Sequence, residues 1–249
     1  HDMQARSIWR DINKSTPEWE STIPLPLKVK VCDWVSLSLR LTKSMPTPRY
    51  VRLDAPLVLS TDASKDAWGA DLRSASDLST RLAGKGGLFS APQLPWSIPR
   101  KELDGLHRGL LWVKGLSPYL PVSTHYAQYQ APLSALFPRF QDQALTVVVD
   151  SEVTVYRLRR PSNDSKLPAP EQRRLSAVRE LCHELKAVIK HVPSNCNASD
   201  SISRCVLPKA HNADSLSDAM SSSTVVYDPN DDHLRPDSTE STPPCEDAG

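Results

Sequence analysis

The stretch that most constrains this chain is LVLSTDASKDAWGADL, residues 57–72. Leu57, Val58 and Leu59 form a short continuous run of branched residues, as a buried strand does, and a second run opens at Ala67, Trp68, Gly69 and Ala70. The small polar residues between them supply a turn, so the stretch predicts a β-hairpin. Asp62 then sits at the end of a buried strand. A carboxylate there is costly unless it is paired, hydrogen-bonded or bound to a cation. An aspartate that merely caps the turn is the plainer alternative, and only further acids in suitable places decide against it.

The chain has 249 residues, enough for one full domain with an accessory segment. Residues 1–53 are a preamble in which the apolar positions from Leu27 fit a helical and an alternating period equally; the length of the run favours a helix, and MPTPRY ends it. Residues 74–81 are polar and expected to be a loop, with a third short strand in 84–90. LPWSIPRKELDGLHRGLLWVKG predicts a helix with Pro99 in its first turn, Glu102 near the edge of its stripe, and Leu103, Leu106, Leu110 and Val113 as the stripe itself. Gly105 and Gly109 each cost such a helix up to about 1 kcal/mol relative to alanine, which close packing on a sheet explains.

Residues 117–144 are a Pro-rich connection with a short helix at 133–136. ALTVVVDS is a strand without alternation, as one buried on both faces reads, and Asp150 ends it. SEVTVYRLRR reads as a short helix and EQRRLSAVRELCHELK as an amphipathic one. AVIKHV is the last strand, after which Asn197 is placed to cap a short helix containing Asp200. Residues 208–249 turn to Ser, Asp, Pro and Thr and read as a disordered tail or linker.

Bulk properties exclude little. The net charge of +1 predicts no nucleic-acid partner by itself, so a basic surface has to be local. The five cysteines make no CxxC pair and read as ordinary thiols of an intracellular protein. No apolar run approaches a membrane span, and the opening residues carry no signal-peptide core. A chain that opens on His1 is expected to be a piece of a longer polypeptide or a processed product.

The elements in order are three strands, a helix, a strand, two helices, a strand and a helix, which predicts a mixed sheet covered by helices. Asp62 and Asp150 end strands, and Glu102 and Asp200 open helices. Four converging carboxylates repel one another unless divalent cations remove the repulsion. Hard oxygen ligands of this kind select Mg²⁺ or Mn²⁺, and two such ions about 4 Å apart suit in-line cleavage of a phosphodiester.

The motifs TDASKDAWGA, IPRKEL, VVVDS and HVPSNCNASDSISR resemble the four acid-bearing motifs of the ribonuclease H domain of retroelement reverse transcriptases. IPRKEL and the SDSISR ending are most similar to the BEL/Pao group of LTR retrotransposons. WESTIPLPLKVKVCDW followed by PTPRY is similar to the connection segment before that domain. The resemblance implies an α/β ribonuclease H-like fold, a mixed five-stranded sheet of three antiparallel strands then β/α units, flanked by helices. It implies a connection segment over 1–53, the ribonuclease H-like domain over 54–207 and the tail beyond. It also implies two Mg²⁺ ions, replaceable by Mn²⁺, held by Asp62, Glu102, Asp150 and Asp200, and cleavage of the RNA strand of an RNA/DNA hybrid. Partners would be the hybrid, an upstream polymerase domain and a downstream integrase, with no membrane.

Ser64 and Ser151, beside the acids, are candidates for substrate or backbone contacts, with turn formation as the plain alternative. Arg157, Arg159, Arg160, Arg173 and Arg174 either meet phosphates or form a solvated helix face, and the sequence weighs both equally. Many ribonucleases H carry a mobile histidine before the last aspartate. Here VPSNCNASD has none, and His191 falls on the strand as a structural residue. A decayed or connection-type domain that binds hybrid without cutting is the alternative reading, and the intact acid quartet argues against it. An aspartic protease lacks its required glycine here, and neither a YxDD polymerase pair nor an HHCC zinc set is present.

Overall fold

The computed structural model of the protein describes residues 2–16, 18, 21–44, 56–116, 145–160, 167–206 and 213–229. The expected helix at 133–136, the connection over 117–144 and the MPTPRY breaker lie outside the described residues.

One sheet organises the chain, in the order β3-β2-β1-β4-β5-β6. Strands β1 (Leu57–Ala63), β2 (Ala67–Ser74) and β3 (Asp77–Leu88) form the antiparallel meander. Next, β4 (Thr146–Val149) adds parallel to β1, β5 (Val188–His191) adds parallel to β4, and β6 (Val225–Tyr227) closes antiparallel to β5. This is the mixed α/β, ribonuclease H-like arrangement expected from the motifs, with one strand more.

Both faces of the central strands are covered, which is why they show no polar alternation. Leu57 and Leu59 of β1 and Val147 and Val149 of β4 share one core with the stripe Leu103, Leu106, Leu110 and Val113 of α3 (Ile98–Leu116). Leu175, Val178, Leu181 and Cys182 of the neighbouring amphipathic helix Ala169–Glu184 complete it. Val58 and Val148 point the other way, into a smaller core with Val192, Ala198 and Leu216. The close approach expected of the helix glycines is present: a Cβ on Gly109 would fall 2.6 Å from Thr61 Cγ2.

Three expectations are corrected. Residues 74–81 are not a loop: β2 runs to Ser74, a two-residue turn follows, and β3 starts at Asp77. The preamble holds the expected helix, α2 (Leu25–Ser44), and also one that was not expected, α1 (Asp2–Ser15), which packs on β3 with Met3 and Ile8 buried and Arg10 donating to the Phe89 carbonyl (3.3 Å). The tail is not structureless throughout, since Ala213–Ser222 is a helix and 225–227 is β6, with Leu216, Val226 and Tyr227 buried. In chain order the helices after α3 are α4 (Glu152–Leu158), α5 (Ala169–Glu184), α6 (Asp200–Ser203) and α7 (Ala213–Ser222). No helix among the described residues is long and apolar enough to cross a membrane.

Candidate active site

Parallel pairing of β1 with β4 brings their carboxyl ends side by side, and α3 delivers Glu102 to the same end. One carboxylate oxygen each from Asp62, Glu102 and Asp150 lies within 4.8 Å of the others. They line an open cleft of about 550 Å³, together with Lys65 and Arg204. Lys101, fully buried, fixes the start of α3 against the hairpin by donating from Nζ to the carbonyls of Lys65 (2.6 Å) and Leu94 (2.8 Å).

Electrostatics marks this cluster as strained without a counter-charge. Burial, opposed by a hydrogen bond from Ser203 and reinforced by the Asp150 and Asp200 carboxylates, pushes Asp62 up to about 6. Burial, then the charges of Asp62 and Asp150, pushes Glu102 up to about 9. Three hard oxygen donors that repel one another suit a hard divalent cation, so the donor set fits Mg²⁺ or Mn²⁺.

Asp200 stands apart from the three. Its Oδ1 accepts from Arg204 Nε at 2.5 Å, one turn along α6. The structure thus brings together Asp62, Glu102 and Asp150, and places Asp200 next to them in an ion pair.

The other candidates divide. Ser64 caps the hairpin turn, accepting from the Ala67 amide (3.1 Å) and donating to the Ser203 carbonyl (2.7 Å). Ser151 is the N-cap of α4, accepting from the Thr154 amide (3.3 Å). Arg157 is paired with Glu171 (2.9 Å) and Arg174 with Asp104 (2.9 Å), so both arginines hold α5 to its neighbours. Arg160 lies 4.4 Å from the Tyr156 ring centroid, and Arg159 and Arg173 are exposed.

Sequence reading missed two residues that touch the acids. Asn197 is not the N-cap of α6, which is Ser199; the buried Asn197 amide instead donates to Asp150 Oδ1 (3.0 Å) and the Thr61 carbonyl (2.9 Å). Ser203, also buried, donates a short hydrogen bond to Asp62 Oδ2. Both lie inside the last quoted motif, and that was the only signal available. His191 does sit on β5, its Nε2 3.3 Å from the Asp150 carbonyl oxygen.

No family model and no curated protein matches the chain. Among solved structures it is similar to LC11-RNase H1 in complex with RNA/DNA hybrid, at 14% identity over 60% of this chain and 95% of that one, TM-score 0.43. RNase H1 from the halophilic archaeon Halobacterium salinarum NRC-1 follows at 15% identity, 58% and 93% coverage, TM-score 0.37. The foamy viral protease-reverse transcriptase in complex with double-stranded DNA gives 14% identity over 75% of this chain and 28% of that one, TM-score 0.46. None of these likenesses bears on the acids, whose arrangement is read from this chain alone.

Proposed function

We propose that this chain is an endonuclease of ribonuclease H type that cuts the RNA strand of RNA/DNA hybrids with two Mg²⁺ ions, or Mn²⁺, inside a retroelement reverse transcriptase polyprotein of BEL/Pao type. The observation that carries the reading is the convergence of Asp62, Glu102 and Asp150 at one end of two parallel strands. These acids come from three of the four motifs that resemble the family. In this reading residues 1–53 join an upstream polymerase domain, an integrase lies downstream, and the protein acts inside the cell.

Bound cations supply an activated water and stabilise the departing oxygen of the phosphodiester. The chain's own residues do the rest. Asp62, Glu102 and Asp150 would hold the cations, Glu102 and Asp150 mainly on the leaving-group side, and Asp200 would serve on the side where water is activated. Asp62 is buried, which strengthens its hold on a cation. Ser64, Ser151 and the exposed Arg173 remain candidates for contacts to the hybrid, with Arg160 beside them. Arg157 and Arg174 are weaker ones, because each already neutralises a buried acid.

One observation favours the second reading, a domain that binds hybrid without cutting: Asp200 is bonded to Arg204 and lies outside the three-acid group. Incubating an end-labelled hybrid with the purified chain in Mg²⁺, Mn²⁺ or EDTA separates the two. Metal-dependent cutting of the RNA strand alone, lost in Asp150→Asn and Asp200→Asn, is the expected result. Cutting retained by a folded Asp150→Asn chain overturns the metal assignment, and hybrid binding without cutting supports the second reading.

A further inference from the structure

We infer that Asn197 and Ser203 are positioning residues for the acid cluster, each aiming one carboxylate by a hydrogen bond from either end of the segment that also carries Asp200. The inference rests on the cation-dependent reading above and goes beyond its four acids.

Asn197 is fully buried, and its amide is used to capacity. Nδ2 donates to Asp150 Oδ1 (3.0 Å) and the Thr61 carbonyl (2.9 Å), and Oδ1 accepts from the Ser199 amide (3.1 Å) and hydroxyl (2.7 Å). Two donors and two acceptor sites are all that the amide has. The flipped orientation is excluded, because it sets Oδ1 against two acceptors and Nδ2 against the Ser199 amide. One side chain therefore ties the residue before Asp62, the Asp150 carboxylate and the start of α6 into a single arrangement.

Ser203 does the same from the other end. Its Oγ reaches Asp62 Oδ2 and, at 3.0 Å, the Asp200 carbonyl; with a single proton to give, it serves the charged acceptor. The Ser203 carbonyl is held in turn by Ser64 Oγ (2.7 Å), which locks α6 to the hairpin turn. Close approach is possible because position 69 has no side chain: a Cβ there would lie 2.7 Å from the Ser203 amide nitrogen. These two bonds restrict how the Asp62 and Asp150 carboxylates can turn within the cluster. Outer donors of this kind orient metal ligands, and losing one typically weakens binding 10–100-fold.

A role in packing alone predicts lost stability with cation affinity intact. Mn²⁺ binding to the full chain, measured by titration calorimetry, distinguishes the roles in wild type, Asn197→Ala, Ser203→Ala and Leu181→Ala, the last a core truncation in α5. Asn197→Ala and Ser203→Ala are each expected to raise the Mn²⁺ dissociation constant about tenfold, while Leu181→Ala keeps the wild-type constant despite its lower melting temperature. Ser203→Ala deletes one hydroxyl and decides the matter if Asn197→Ala does not fold. A wild-type constant in either folded variant removes that residue from the assignment, and an equal rise in Leu181→Ala overturns the positioning role. A wild-type chain that binds no Mn²⁺ overturns the cation reading itself.

Discussion

Asp62 and Glu102 hold their protons more tightly in the folded chain than their ordinary values of 3.8 and 4.5 imply, near 6 and near 9, and burial is the first cause for both. A folded state that binds protons more tightly is favoured at low pH. The stability these two groups contribute is complete below their unfolded values and is lost as pH rises through 6 and then 9. Mg²⁺ takes the place of the protons, so its effect must run the other way. The gain in melting temperature on adding Mg²⁺ is expected to be small near about pH 5 and large near about pH 8. A thermal melt with and without Mg²⁺ at both values checks this, and a gain independent of pH would mean that these carboxylates do not hold the ion. His191 belongs at this scale too. His191→Ala loses its contact to the Asp150 carbonyl, so about 1 kcal/mol of stability should go with little change in cleavage rate. A large rate loss at unchanged melting temperature would make it a proton carrier.

Among the elements, α6 is only Asp200–Ser203, and its position depends on the sheet beneath it. Ile202 and Ser203 press onto β2 and β3 where Gly69 and Gly86 leave room. Gly69→Ala puts a Cβ 2.7 Å from a backbone nitrogen, which cannot swing away as a side chain tip can, so α6 must lift. About 1–3 kcal/mol of destabilisation is expected, with weaker Mn²⁺ binding because Ser203 leaves Asp62; urea denaturation with and without Mn²⁺ measures both. Elements defined by burial were legible in the sequence. The stripe of α3 and the triple valine of β4 announce themselves because packing against two layers dictates every residue. β3 was half missed because it lies at the sheet edge with no fully buried residue, held by backbone pairing to β2 that leaves no pattern in side chains. The motif spacing picked out Asp62, Glu102 and Asp150, which the fold brings together. It did not show Asn197 beside Asp150 or Arg204 on Asp200, since which donor meets which carboxylate depends on how separate segments are stacked.

At the scale of the whole molecule, the sheet has two covered faces, and the chain beyond residue 208 supplies part of the second cover. This region was read as a tail because so few of its residues are apolar, yet those few are well placed. Leu216 of α7 closes the small core over Val58 and Val148, Lys190 Nζ donates to the Met220 carbonyl (2.9 Å), and β6 pairs with β5. Ending the chain at residue 207 removes all of this at once. Three buried side chains, Leu216, Val226 and Tyr227, are worth about 4.5–9 kcal/mol together at about 1.5–3 kcal/mol each, against a total stability of about 5–15 kcal/mol for a domain. β5 also becomes an open edge, able to pair with other chains. The truncated chain is therefore expected to unfold at a much lower urea concentration, to bind a hydrophobic dye and to aggregate, and to lose cleavage with the fold, because β1 and β4 carry Asp62 and Asp150 at their ends. An unchanged urea midpoint would show instead that α7 and β6 rest on the rest of the sheet without supporting it, and that the acid cluster stands on the other five strands and α3 alone.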